Sequence, residues 1–177
     1  MSEVSKHRQQ LLKYCYDRNG QPAPGVDLAS GGDPLAPWGW TLELPQAEYD
    51  HYNSHQNPRG PVQLRGHCQH RCTEPESLSW VCASHILEDF PPAQWPDLFR
   101  TWSSMLQPGG HLIILVPEHE RWSRAISAGQ PPNCSHHVPE PSLGDMSRVA
   151  KSVGLDVLEE RFANDTDYTI IGVFRKP

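Results

Sequence analysis

The stretch "GVDLASGGDPLAPWGWTLEL", residues 25–44, places Asp27 in a short apolar run that leads into Ala29-Ser30-Gly31-Gly32, and Glu43 near the end of a second apolar run. Neighbouring glycines let the backbone come within contact distance of a ligand, which a side chain would prevent. A carboxylate at the end of the second strand of such a unit accepts hydrogen bonds from a ribose diol. Asp33 adds another acceptor after the glycines. A tight structural turn accounts for the glycine pair equally well, so features elsewhere in the chain must decide between the two.

Two further groups of residues invite chemistry. In "GHCQHRC", His67, Cys68, His70 and Cys72 lie together, and such side chains hold zinc. No second pair stands at finger-like spacing, and Cys82, His85, Cys134, His136 and His137 are only distant partners, so the segment is read as a polar loop with no metal. His85 follows the apolar run "SLSWVCAS", and an imidazole there titrates near neutrality. Two roles are open to it: a general base, or a histidine that hydrogen-bonds Glu88 or the backbone and holds its loop. Glu88 and Asp89 are adjacent and point in different directions, which suits capping of the helix that follows better than paired acid and base work.

These residues need elements to position them. Residues 5–18 place Leu11, Leu12 and Cys15 on one helical face, and Asn19-Gly20 ends the helix. "GVDLAS", "GWTLEL", "PVQLRG", "SLSWVCAS" and "HLIILVP" are strand candidates, the last two continuous enough in apolar residues to be covered on both faces. A short helix around "QAEYDHYNS" follows the second. Between the fourth and fifth, Trp95, Leu98, Phe99, Trp102, Met105 and Leu106 recur at helical spacing, and "QPGG" ends that helix. A second helix starts at Ser142 as N-cap, with Asp145 three residues on, and stops at Gly154. "LDVLEERF" and "YTIIGVFRK" close the chain as a hairpin. The pattern predicts an α/β fold with a mostly parallel sheet, helices on both faces and one reversed strand near an edge. The Pro-rich stretch 129–141 is expected as a loop over the carboxyl edge of the sheet, where ligands sit in such folds.

The order "SLSWVCASHILEDF", amphipathic helix, "LQPGGHLIILVPE" resembles the class I S-adenosylmethionine-dependent methyltransferases, in particular the small bacterial and phage type with Ser-His-x-Leu-Glu-His and Leu-x-Pro-Gly-Gly signatures. Here these read Ser84-His85-Ile86-Leu87-Glu88-Asp89 and Leu106-Gln107-Pro108-Gly109-Gly110, and the likeness spans about residues 25–175. The resemblance implies seven strands and S-adenosylmethionine as cofactor. It implies that Asp27, Ala29, Ser30 and Gly31 face the methionine part and that Glu43 holds the ribose. Ala83, Ser84 and His85 would lie beside the sulfonium. The adenine-side position falls to His67, in Gly66-His67-Cys68 where the family has Gly-Asp-Ala. The chain is thus expected to be an N-terminal helix, residues 1–24, followed by a single methyltransferase-like domain, residues 25–177.

One departure concerns the first crossover. Parallel neighbours need a connection of about a dozen residues or more, usually a helix. Between Ser30 and Thr41 only ten residues are available, two of them proline and two tryptophan. The crossover is therefore expected as an irregular loop, with Trp38 and Trp40 filling the space of the helix. That loses the helix N-terminus which would face the cofactor's carboxylate, so either cofactor affinity is low or a second copy of the chain or a partner subunit completes the site.

Composition narrows the rest. The net charge of -6 includes no basic run able to neutralise a phosphate backbone, which argues against nucleic acid as partner. The apolar runs are too short to span a bilayer, and "MSEVSKHRQQ" lacks a signal-peptide core. Five irregularly spaced cysteines suit a reducing compartment, so the expectation is a cytoplasmic protein. The expected activity is methyl transfer to a small-molecule or sugar-like acceptor, chosen by residues 1–24, 86–94 and 118–141. A methyltransferase-like protein that only binds cofactor or a partner is the alternative, motivated by the short crossover. A nicotinamide dehydrogenase is disfavoured because Gly-x-Gly-x-x-Gly is absent.

Overall fold

Seven strands form one sheet in the order β3-β2-β1-β4-β5-β7-β6. They are β1 (Gly25–Leu28), β2 (Trp40–Glu43), β3 (Leu64–Arg65), β4 (Leu78–Ser84), β5 (Leu106–Pro117), β6 (Asp156–Phe162) and β7 (Thr169–Arg175). The computed structural model describes residues 3–29, 33–52, 62–127 and 141–177. β1 through β5 pair in parallel, and β7 runs antiparallel between β5 and β6. The fully buried pattern of β1 and the nearly fully buried one of β4 explain their central place, since a strand covered on both faces carries apolar or small residues throughout. The helices are α1 (Glu3–Leu11), α2 (Gln46–Tyr52), α3 (Trp95–Ser104), α4 (His119–Ser127) and α5 (Asp145–Ser152).

Alternation along the strands divides the interior into two layers. Val26, Leu28, Leu42, Val81, Ala83, Ile114 and Val116 face α3 and α5, meeting Leu98, Phe99, Trp102, Met146 and Ala150. The other face carries Trp80, Cys82, Ile113, Leu115, Ile171 and Val173, covered by Val4 and Leu11 of α1 with Cys15, Leu35 and Ala36. Asp27 pairs with Cys82 on β4 and Thr41 on β2, so its side chain belongs to this second face.

The crossover from β1 to β2 is an irregular connection: among its described residues, 33–39, none is helical. Its filling differs from the expectation. Trp38 does pack against the second layer and donates from Nε1 to the Ala23 carbonyl at 3.1 Å. Trp40 instead stands half-exposed at the start of β2, where it pairs with Val26 and so lies on the opposite face of the sheet from the crossover layer. The space of the missing helix goes to Trp80 of β4, whose Nε1 donates to the same Ala23 carbonyl at 3.0 Å. A Cβ at Gly25 or Gly39 would collide with the Trp80 indole, so both glycines are there for close approach. Leu35 and Ala36 of the crossover are fully buried against this floor.

Several boundaries also depart from the expectation. The N-terminal helix, expected over 5–18, is α-helical only to Leu11 and tightens into a 3-10 turn over Leu12–Cys15. Leu106 belongs to β5, where it pairs with Leu78, so "LQPGG" lies within the strand and α3 ends at Ser104. Ser142 is not an N-cap: α5 begins at Asp145 after Gly144 in the left-handed region, while the Asp145 carboxylate accepts the Ser142 N–H at 2.9 Å. Residues 119–127, expected within a loop, form α4. Glu118 Oε2 accepts the Arg121 N–H at 2.8 Å, satisfying one of the donors that a helix N-terminus leaves open.

Candidate functional site

The carboxyl ends of β1, β2 and β4 lie side by side, and two of the residues there pay for their backbone. Ala29, just past β1, has φ 59°, and His85, just past β4, has φ 53°. Such values cost a residue with a side chain roughly 1–2 kcal/mol, and strain of this kind gathers at functional sites. Each is held by the sheet: the Ala29 N–H donates to Leu42 O and the His85 N–H to Leu115 O, both at 2.8 Å. An Ala29→Gly variant removes the Cβ that disfavours this conformation. It is expected to gain about 0.5–1 kcal/mol of stability, read as a higher urea midpoint at unchanged slope.

Asp27 is fully buried beneath this edge. Its Oδ2 accepts the Leu35 N–H at 2.7 Å, tying the crossover to β1, while Oδ1 has no hydrogen-bond partner among the described residues. Burial pushes its carboxyl up to about 8, opposed by the Leu35 hydrogen bond and the Cys82 thiol beside it and reinforced by the nearby Glu43 charge, with Asp33 adding a smaller push. The same burial raises the Cys82 and Cys15 thiols, so these side chains under the edge favour their protonated forms. The unfolded carboxyl titrates at its ordinary value and the folded one higher, so the native state holds the extra proton between them. This contribution to stability is complete below the unfolded value and is lost as pH rises through the folded one, near 8. Asp27→Asn keeps an oxygen for Leu35 but cannot ionise. Its urea midpoint, measured across that window, is expected to fall less with pH than that of the native protein.

The candidate ligand residues fall into three groups. Glu43 ends β2, nearly buried, with its backbone carbonyl taking the Gly66 N–H at 2.8 Å. Ser84 is almost buried on the Asp27 face, whereas the Ala83 side chain points into the α3 layer, so only its backbone reaches the edge. His67 stands after β3, half-exposed, with Nε2 at 3.3 Å from Glu48 Oε1 of α2. Ser30 and Gly31 lie outside the described residues. Cys72 Sγ contacts Met105 Sδ at 3.7 Å, and among the described residues no cluster of His, Cys, Asp and Glu is arranged for a metal. Cys134, His136 and His137 lie outside the described residues.

At the end of β4, His85 Nδ1 is 3.3 Å from Oε1 of Glu88, a carboxylate with no exposed surface. Glu88 therefore faces His85 instead of capping α3, whose start carries no side-chain cap. His85 Nε2 is buried with no partner among the described residues. Tyr168, just before β7, meets the His85 ring edge-on at 6.5 Å. Its neighbour Asp167 pairs with His7 of α1 at 3.4 Å. The sequence did not single out His7, Arg8, Asp167 or Tyr168; their one signal was that the N-terminal helix and the terminal hairpin both end at the carboxyl edge. Beyond the loop after β4, a cleft of about 420 Å³ is lined by Trp95, His119, Asp145, Arg148 and Val149 among others. It adjoins two of the segments expected to choose the acceptor.

A family model described as a methyltransferase domain matches residues 7–160. No curated protein matches the sequence. Solved structures do match, as far as the fold. The complex of the Haloferax volcanii Trm112 methyltransferase activator with a methyltransferase aligns at TM-score 0.69 and 14% identity, covering 98% of this chain and 88% of that one. An S-adenosylmethionine-dependent methyltransferase from Thermotoga maritima aligns at TM-score 0.67 and 14% identity, over 97% and 89%. The Burkholderia thailandensis 1,6-didemethyltoxoflavin-N1-methyltransferase, with its substrate and S-adenosylhomocysteine bound, aligns at TM-score 0.66 and 13% identity, over 98% and 77%.

Proposed function

We propose that this chain, which belongs to the methyltransferase domain family, transfers the methyl group of S-adenosylmethionine to a small-molecule or sugar-like acceptor at the carboxyl edge of its sheet. The observation that carries the reading is the convergence there of a nearly buried acid on β2 with two strained non-glycine residues on β1 and β4. The fit to the cofactor is chemical: Glu43 supplies an acceptor for ribose hydroxyls, and Asp27 Oδ1 and His85 Nε2 are buried polar atoms with no hydrogen-bond partner among the described residues. The signatures Ser84 to Asp89 and Leu106 to Gly110 support a small bacterial or phage type. Residues 25–177 would form the catalytic domain and residues 1–24 a covering N-terminal segment that carries α1, working in the cytoplasm with free thiols such as Cys15 and Cys82.

S-adenosylmethionine supplies a methyl already activated by its sulfonium, so the protein's task is alignment and exclusion of water. Glu43 would accept from the ribose, Asp27 and the Ala29 backbone would face the methionine part, a role the resemblance also implies for Ser30 and Gly31, His67 would stand at the adenine side, and Ala83 and Ser84 would line the edge beside the sulfonium. Glu88 Oε1 lies 3.3 Å from Nδ1 of His85, a contact that orients the ring, and Nε2 would then be the atom that accepts a proton released by the nucleophile. The Burkholderia neighbour, with 1,6-didemethyltoxoflavin bound, supports a small acceptor. The Haloferax complex supports a partner subunit as an alternative to a second copy of this chain.

The helix-free crossover favours a second reading, a protein that binds cofactor or a partner without turnover. Incubation with methyl-labelled S-adenosylmethionine and a panel of hydroxyl, amine and sugar acceptors separates the two. Labelled product that grows with protein concentration supports transfer; cofactor binding with no product from any acceptor, with and without co-purifying subunits, supports the second reading.

A further inference from the structure

A crossover without a helix leaves the α-amino-acid end of the cofactor without the backbone N–H groups that a helix N-terminus offers an anion. The structure puts a cation beside this crossover. Arg8 of α1 reaches over the crossover, donating from Nε to Leu35 O at 3.1 Å and from Nη2 to Pro34 O at 2.9 Å and to Asp33 Oδ1. A guanidinium has five N–H donors, and these bonds leave the two on Nη1 with no partner among the described residues. The Arg8 and Asp33 side chains are about 30% and 26% exposed, so solvent and ligand can reach them.

Position points the same way. The Leu35 residue whose carbonyl Arg8 takes gives its N–H to Asp27, so Arg8 stands one residue from the buried acid of β1. On the other side of the same helix turn, His7 pairs with Asp167, whose neighbour Tyr168 faces His85. α1 thus spans the carboxyl edge from the crossover to the start of β7.

We propose that Arg8 and Asp33 together receive the α-amino-acid end of S-adenosylmethionine, the guanidinium taking its carboxylate and the aspartate its ammonium. The assignment rests on the cofactor reading above. A zwitterion carries one charge of each sign, and this ion pair presents the complementary two, held in place by the Leu35 and Pro34 carbonyls. The guanidinium thereby takes the part that the absent helix would play.

The test compares S-adenosylhomocysteine with 5′-methylthioadenosine, which keeps the nucleoside and thioether but lacks the amino-acid end. Calorimetric titration of the native protein, Arg8→Gln and Arg8→Lys is paired with thermal melts that show each variant folded. Arg8→Gln is expected to weaken S-adenosylhomocysteine at least tenfold and leave 5′-methylthioadenosine unchanged, with Arg8→Lys in between. Equal losses for both ligands would mean that Arg8 only holds the crossover in shape, and an unchanged S-adenosylhomocysteine affinity would remove it from the site; either result overturns the proposal. Native protein that binds neither ligand overturns the cofactor reading itself.

Discussion

Replacing Trp80 by alanine is expected to cost about 3–5 kcal/mol of stability, the range for deleting a fully buried large aromatic. The side chain has no exposed surface and lies against the places where Gly25 and Gly39 lack a Cβ. It also donates to the Ala23 carbonyl at 3.0 Å. No helix stands by to fill the cavity, because the crossover that would carry one is the irregular segment packed on that indole. Urea denaturation should show the loss as a lower midpoint, and the variant's cofactor affinity should fall with it, since Leu35 and the Asp27 contact rest on the same floor. Trp40→Ala is the matched control. Its half-exposed ring should change stability by no more than about 0.5 kcal/mol. If the two variants lose equal stability, the account of what fills the crossover is wrong.

A Glu43→Ala variant is expected to bind S-adenosylhomocysteine about 100-fold more weakly. Charge-assisted hydrogen bonds contribute roughly 1.5–3 kcal/mol each, and about 1.4 kcal/mol is a tenfold change in affinity. The strand should survive the substitution, because β2 is held by its pairing to β1 and β3, including Gly66 N–H to the Glu43 carbonyl at 2.8 Å. Glu43→Gln keeps the shape and one acceptor while losing the charge, and should fall between the native protein and the alanine variant. Affinity that is the same in all three proteins would take Glu43 out of the site and with it the assignment of the ribose to β2.

The residues that were legible in the sequence are those whose environment is set by their own segment. β4 and the buried half of β5 show as unbroken apolar runs, and α3 as Leu98, Phe99 and Trp102 at helical spacing, because burial on one or both faces writes itself into local pattern. Glu43 could be picked out because a lone carboxylate ends an apolar run. The unread parts depend on distant neighbours. Trp80 looks like any core residue of a strand until Gly25 and Gly39 are seen against it. Arg8 reads as the solvated side of an amphipathic helix, yet its guanidinium turns onto residues 33–35, far along the chain. α4 hid among prolines and histidines, although Glu120 and Arg124, paired at 3.3 Å, are spaced as helix neighbours. The His85–Glu88 contact is one of the two roles open to His85 in the sequence, and what the local pattern leaves undecided is whether Glu88 serves that contact or caps α3.

The most direct test of the central claim is calorimetric titration of the native protein with S-adenosylhomocysteine. The account predicts saturable binding with one site per chain and a dissociation constant in the micromolar range, weakened by Glu43→Ala. A folded sample that takes up no S-adenosylhomocysteine, alone or with a co-purifying subunit, would contradict it.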